Sequence, residues 1–327
     1  MKKFTAEEYI GEYGNNDHLT WNDVTEVTVK DIGCSRYKVT TYTGEKPKIK
    51  LSTFTIKQYK GKYVLHGLYT SRYSDGFIKS KKYYRYGNLH RNGDKPAIKI
   101  WHEDGTKSGI AYFKKNKLYR DAGIVCQEWY PNGKLKCEFY QLNGKFHRVD
   151  DAAIRRWNEI GLVIVEEWSI NDKRHRVDDA AVREWNNEGK LIKEDWAIDG
   201  KLHKVNGAAL RTWNDDGVLI EEKWAINGRD HRLDDAAVRK WNGDGVLIKE
   251  KWNFNGRLHS EKGAALRVWN NSGVLIEEEW CFDGLLHREG DAAIRQWNDE
   301  GKLINEEWWE YGKKHENVLT KVAKIEA

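Results

Sequence analysis

The sequence predicts an all-β repeat protein, an elongated antiparallel β-meander built from tandem hairpins of 28 residues each. Three observations predict it. His147, His175, His203, His231, His259, His287 and His315 follow one another at intervals of 28 residues. Trp157, Trp185, Trp213, Trp241, Trp269 and Trp297 keep that step in one phase, and Trp168, Trp196, Trp224, Trp252, Trp280 and Trp308 keep it in another. Glycine turn signals divide each unit twice, and between them side chains alternate with the period of a strand. A fixed period marks units that bury their apolar faces against their neighbours. A residue type that recurs in every unit is therefore first a packing device and only then a candidate site.

Taken in chain order, residues 1–65 fall off the grid, although 37–42 and 48–51 read as strands. They are predicted to form a divergent N-terminal β cap. The array spans 66–317, degenerate over 66–146 and regular over 147–317. In the degenerate part Gly76, Gly105 and Gly133 hold the first turn, Tyr83, Tyr112 and Tyr140 replace the second Trp, and His90 and Tyr119 hold the His position. Nine hairpins result, centred on Gly76, Gly105, Gly133, Gly161, Gly189, Gly217, Gly245, Gly273 and Gly301. Residues 318–327 form a C-terminal tail, either a closing strand or a frayed end.

Residues 180–207 represent one unit. Asn186-Asn187-Glu188-Gly189 predicts a type I turn with a bulge, because Gly takes the positive φ that ends it. Asp199-Gly200 predicts a two-residue hairpin turn. Ile192, Glu194, Trp196 and Ile198 face one way; Leu191, Lys193, Asp195 and Ala197 face the other. On the neighbouring strand Ala181, Arg183 and Trp185 share a face. Residues 201–209 read as one longer strand, kinked by a bulge. Each repeat is then two antiparallel strands of a twisted or curled sheet whose Trp-rich face turns inward. A β-solenoid with one unit per coil is the runner-up, stacking identical residues about 4.8 Å apart.

Composition narrows the class. Three prolines argue against disordered linkers, and a single Met beside 16 Trp favours rigid aromatic packing. The N-terminus lacks the apolar run of a signal peptide, and no stretch has the length of a transmembrane helix. Cys34, Cys126, Cys137 and Cys281 share no spacing and read as free thiols. A soluble, intracellular and cytoplasmic protein is expected, a viral particle being the alternative location. Of 56 Lys+Arg and 51 Asp+Glu, residues 1–100 hold 19 and 10, which leaves 37 and 41 for the rest. The basic character belongs to the N-terminal region.

The string Asn-Gly-Lys-Leu-His-Arg, followed by Asp-Asp-Ala-Ala and then Arg-x-Trp, resembles variants of the MORN repeat, a short β-hairpin unit built around aromatic and glycine positions. The resemblance covers roughly residues 70–315, with a unit longer than the usual one. It implies a scaffold that contacts protein and sometimes lipid. Variant forms also occur as antitoxin-like immunity partners in bacteria and as expanded families in giant viruses.

The recurring residues point to structure before chemistry. In a meander, successive His positions lie about 9.5 Å apart, two strand spacings, which is too far for one zinc ion. The kink carries Asp-Asp, Asn-Gly or Lys-Gly in different units, and the Asp-Asp, three residues after the His, is expected to accept from the imidazole and fix the kink. No Ser, Cys or Thr recurs beside the His, so neither a catalytic site, a metal nor a cofactor is expected. Arg183 and Arg211 precede Trp185 and Trp213 by two residues, as Glu194 and Glu222 precede Trp196 and Trp224. With His203 and His231 these residues form a predicted structural ladder, Arg beside Glu and each guanidinium stacked over an indole.

Lys46, Lys48, Lys50, Lys57, Lys60 and Lys62, interleaved with Tyr59 and Tyr63, form a candidate partner-binding patch that suits phosphates and bases. The expected function is that of a non-catalytic scaffold for protein–protein interaction, as a structural component of a larger assembly or self-associated. An antitoxin or immunity-like binder is one alternative. A nucleic-acid binder acting through residues 40–90 is the other.

Overall fold

A computed structural model describes residues 1–13, 21, 23–44 and 48–315 of the chain. Lys46 and the predicted tail at 318–327 lie outside them. The turns set the architecture. Gly189 has φ +84°, and its N–H donates to Asn186 O at 3.0 Å while Asn186 N–H donates to Lys190 O at 2.9 Å. Asn186 Oδ1 accepts the N–H groups of Glu188 and Lys190, both at 3.0 Å, donors that the tight turn directs away from the ladder. The register slips between Glu184 and Trp185, the bulge such a turn demands. Asp199 and Gly200 both have positive φ, +49° and +80°, a type I′ turn that matches the twist of the strands it joins.

The chain forms two compact units, Met1–Val163 and Ile164–Ala327. In the second, Val182–Trp185, Leu191–Asp195, Leu210–Trp213, Leu219–Lys223, Val238–Trp241, Leu247–Lys251, Leu266–Trp269, Leu275–Glu279, Ile294–Trp297 and Leu303–Glu310 pair antiparallel in chain order. Identical residues of adjacent repeats are thus two strands apart. This is the predicted meander and not the solenoid, and the described strands do not close it into a barrel.

The two strands expected per repeat become four. Ala197–Ile198 pairs with Lys201–Leu202 in a two-stranded ribbon of its own, and every regular repeat has such a ribbon. Trp196 interrupts the strand before it: its N–H donates to Ala209 O at 2.7 Å and its carbonyl accepts His203 N–H at 2.9 Å. The predicted kinked strand over 201–209 is likewise discontinuous. After Leu202 the chain leaves the ladder, Lys204 N–H donates to Ala225 O of the next repeat at 3.1 Å, and strand resumes at Leu210.

The predicted inward Trp face is not the core. Each Trp on the grid is half-buried, whereas the Ala pairs at 180/181, 208/209, 236/237, 264/265 and 292/293 are at most 1% exposed. The physical reason is local crowding. Ala181 O accepts Trp168 N–H and Ala181 N–H donates to Asp195 O, both at 2.7 Å, so backbone converges there and leaves room for little more than a methyl.

In the first unit the predicted β cap contains a helix, Ala6–Tyr13. Its start is a reciprocal cap: Glu8 N–H donates to Thr5 Oγ1 at 3.2 Å and Thr5 N–H donates to Glu8 Oε2 at 2.7 Å. Tyr9 and Tyr13, one turn apart, join Val27, Val39, Phe54 and Ile56 in an apolar core. From Glu26–Asp31 the sheet continues as a meander through Arg36–Thr43, Ile49–Tyr59, Gly67–Arg72, Ile78–Arg85 and Ile98–Trp101. Lys107–Ala111, Ala122–Trp129, Leu135–Leu142 and Ile154–Trp157 follow in order.

Candidate functional site

Cross-strand register arranges the recurring charges. Glu166, Arg183, Glu194, Arg211, Glu222, Arg239, Glu250, Arg267, Glu278, Arg295 and Glu306 are consecutive partners across the second unit, alternating in sign at every step. Arg Nε lies 3.6 Å from Glu Oε in the pair 183/194, 3.2 Å in 211/222, 2.9 Å in 239/250 and 2.8 Å in 295/306. A one-residue slip would break the whole row, so the ladder holds register. Trp185 and Trp213 sit at the bulges beside it, opposite Leu191 and Leu219.

The cation over each indole is not the Arg of Arg-x-Trp, which is a correction to the predicted stack. It is the residue after the His. Arg176 lies 3.9 Å from the Trp168 ring centroid, Lys204 3.4 Å from Trp196, Arg232 4.0 Å from Trp224 and Arg288 3.8 Å from Trp280. In the first unit Arg91, Arg120 and Arg148 cover Tyr83, Tyr112 and Tyr140 in the same way. Arg155, Arg183, Arg239 and Arg295 are drawn instead to an Asp four residues before them, a place that Gly207 and Gly263 hold before Arg211 and Arg267. Asp179 accepts from Arg183 through both oxygens, meets Arg176 at 3.1 Å and accepts Ala180 N–H at 2.8 Å. Partial burial pushes the Asp179 carboxyl up, but the Arg183 and Ala180 hydrogen bonds outweigh it and hold the carboxyl below its ordinary value. Asp151, Asp235 and Asp291 are lowered against the same burial by Arg155, Arg239 and Arg295 with the adjacent Ala N–H.

His175 and His231, each followed by an Asp pair, turn to another partner, a second correction. From His175 to His259 each imidazole faces the type I′ turn of the following repeat. Asp199 N–H donates to His175 Nδ1 and Asn227 N–H to His203 Nδ1, both at 3.2 Å; Asn255 and Asp283 donate likewise to His231 and His259. The spacing of 24 residues hid this pairing, because donor and acceptor belong to different units. In His231 and His259 Nδ1 is thereby occupied as an acceptor. Among the described residues no group of three or more His, Cys, Asp or Glu is placed to hold a metal ion.

The N-terminal patch divides among different environments. Lys48 is ion-paired with Glu26, and Tyr63 packs against Tyr13 and Tyr37 beside the apolar core. Lys57 lies over the Tyr86 ring at 5.1 Å and Lys60 over Tyr59 at 5.6 Å, while Tyr59 and Tyr86 stack at 4.7 Å. Lys50 and Lys62 are exposed. Only Tyr59, Lys57 and Lys60 gather into one small surface.

A second surface lies on the irregular segments after each His. Val177, Val205 and Leu233, one per repeat at the same position, are 69%, 68% and 71% exposed. Val149 holds that position in the first unit. The next two repeats place Glu261 and Glu289 there. The sequence places a kink here; that its first residue in these repeats is both apolar and solvated emerges only in the fold. The only signal is the aliphatic type recurring two residues after His.

Comparison with protein-family models finds none that matches the chain, and comparison with curated proteins finds no match. No helix among the described residues is long and apolar enough to cross a membrane.

Proposed function

We propose that this chain is a non-catalytic repeat scaffold that binds another protein along the row of kink residues in its second unit. The exposure of Val177, Val205 and Leu233 carries this reading. A chain with 33% charged residues has abundant polar side chains for a solvated position, yet the same position stays aliphatic in three successive repeats. Solvated aliphatic residues in a row on a rigid frame are a contact surface for a partner. Arg176, Lys204 and Arg232, which precede them, are engaged by indoles, whereas Asp178 and Asp234 follow two of them, so a partner with apolar and basic residues fits best. The likeness to MORN-repeat variants, which are associated with scaffolding, supports the same class.

The test is affinity capture from nuclease-treated native extract, read by mass spectrometry, with the wild-type chain beside a Val177→Ser, Val205→Ser, Leu233→Ser chain. A discrete protein held by the first and lost by the second supports the reading. Equal capture by both refutes it. Material that disappears on nuclease treatment moves the function to Tyr59, Lys57 and Lys60.

A further inference from the structure

One repeat departs from the rule that a cation covers each indole. In four repeats the residue after His lies 3.4–4.0 Å from the ring of the Trp eight positions before it. In the fifth that residue is Ser260, and among the described residues no cation lies over Trp252. The backbone is unchanged. Ser260 N–H donates to Cys281 O at 3.2 Å as Arg232 N–H donates to Asn253 O at 3.2 Å, and His259 N–H reaches Trp252 O at 2.9 Å as His231 N–H reaches Trp224 O at 3.0 Å. Only the side chain is missing. In its place a cavity of about 500 Å³ opens beside Trp252, lined also by Leu233, Phe254 and Glu261.

We propose that this cavity receives a Lys or Arg side chain of the bound partner, which completes the row of cation-covered indoles from outside the chain. The inference rests on the protein-binding reading above for the source of that side chain. The sister repeats show what the frame accepts, and Trp is the aromatic ring that binds a cation best. A carboxylate stands nearby. Glu250, two residues before Trp252, pairs with Arg239 at 2.9 Å and Arg267 at 3.9 Å; in the sister repeats Glu222 and Glu278, paired in the same way with Arg211 and Arg295, also meet Arg232 and Arg288 at 3.9 Å. The other charges at the cavity leave room for one more cation. Arg232 is engaged by Trp224 and by Asp235 at 2.9 Å, Glu261 lies 3.9 Å from His259 Nε2, and Asp234 and Lys262 complete the charged lining. The same repeat carries Gly263 where Asp179, Asp235 and Asp291 stand; Gly207 holds that position in the repeat that keeps Lys204 over Trp196, so Ser260 alone marks the missing cation. Continuity with the proposed surface is direct, since Leu233 is both the end of the exposed row and a wall of the cavity.

The test is an NMR titration of the full chain that follows the Trp252 indole N–H, assigned with Trp252→Phe. The probes are N-acetylarginine amide, its neutral isostere N-acetylcitrulline amide, and N-acetylleucine amide. The arginine probe is expected to shift the Trp252 signal saturably and to bind at least about fivefold more tightly than either neutral probe. Ser260→Arg, which fills the place from within, is expected to abolish the shift while the chain stays folded. Equal binding of the citrulline or leucine probe, no shift with arginine, or a shift that survives in Ser260→Arg would each overturn the proposal. The probes need no partner, so this titration can succeed where the capture experiment fails, and the reverse.

Discussion

Arg239 Nε donates to Glu250 Oε1 at 2.9 Å across two adjacent strands, while the same guanidinium is held from behind by Asp235. One side chain thus ties the strand register to the irregular segment that precedes its strand. Arg239→Met leaves Glu250 and Asp235 short of a cation in a half-buried setting and should cost about 1–3 kcal/mol. Adding Glu250→Met should recover part of that loss. The shift in urea midpoint of the single and double variants checks both statements.

The lowered carboxyls set an acid limit. Asp151, Asp179, Asp235 and Asp291 titrate below the ordinary value of 3.8 when folded, so their contribution is complete above that pH and is lost as pH falls through the folded values. Asp195 and Glu279, raised chiefly by burial, run the other way and gain on protonation. Glu26, Asp104 and Glu307 are lowered as well, so the lowered carboxyls outnumber the two raised ones and thermal stability should fall as pH drops below about 4. Asp235→Asn should lower stability at neutral pH and flatten that fall, which melting curves over a pH series measure.

Packing gives an ordering that a sequence reader would reverse. Ala209 is fully buried, and Trp213 is only half-buried. Ala209→Leu must force side chain into closed backbone and should cost about 3 kcal/mol, at the upper end of overpacking. Trp213→Ala should cost about 2 kcal/mol, less than the loss of a fully buried Trp. Denaturant midpoints of the two variants settle the order.

The His ladder sets a tautomer at two rings. Asn255 and Asp283 N–H donate to Nδ1 of His231 and His259, so these neutral rings carry the proton on Nε2, whereas Nδ1 of His175 and His203 also lies 3.2 and 3.1 Å from Asp199 and Asn227 Oδ1. Long-range ¹H–¹⁵N correlation spectra should show Nδ1 unprotonated in His231 and His259. His203→Ala leaves a backbone N–H near the surface, where water replaces the ring, and should cost less than about 1 kcal/mol.

The period and the turns made the meander legible. Asn186 to Gly189 and Asp199-Gly200 each specify one backbone path, and the Arg/Glu register follows once strands are paired between them. Two relations lie outside strand parity: His203 bonds to the turn at Asn227 in the next repeat, and Arg176 folds back over Trp168 within its own hairpin. The Trp residues misled because large aromatic side chains ordinarily mark a core, whereas here the backbone crowds at Ala208 and Ala209 and a single sheet layer leaves the indoles half covered. The helix at Ala6–Tyr13 was written in Thr5 and Glu8, a capping pattern outweighed by the strand signals around it. Val177, Val205 and Leu233 escaped because exposure is a property of the fold and not of the residue.

The most direct measurement places a photo-crosslinking benzoylphenylalanine at Val205 and, as control, at Glu188 in the exposed turn of a neighbouring hairpin. Irradiation in native extract should give a discrete, nuclease-resistant protein adduct from position 205 and none from position 188. No adduct at 205, or the same adduct from both positions, would contradict partner binding along the kink row.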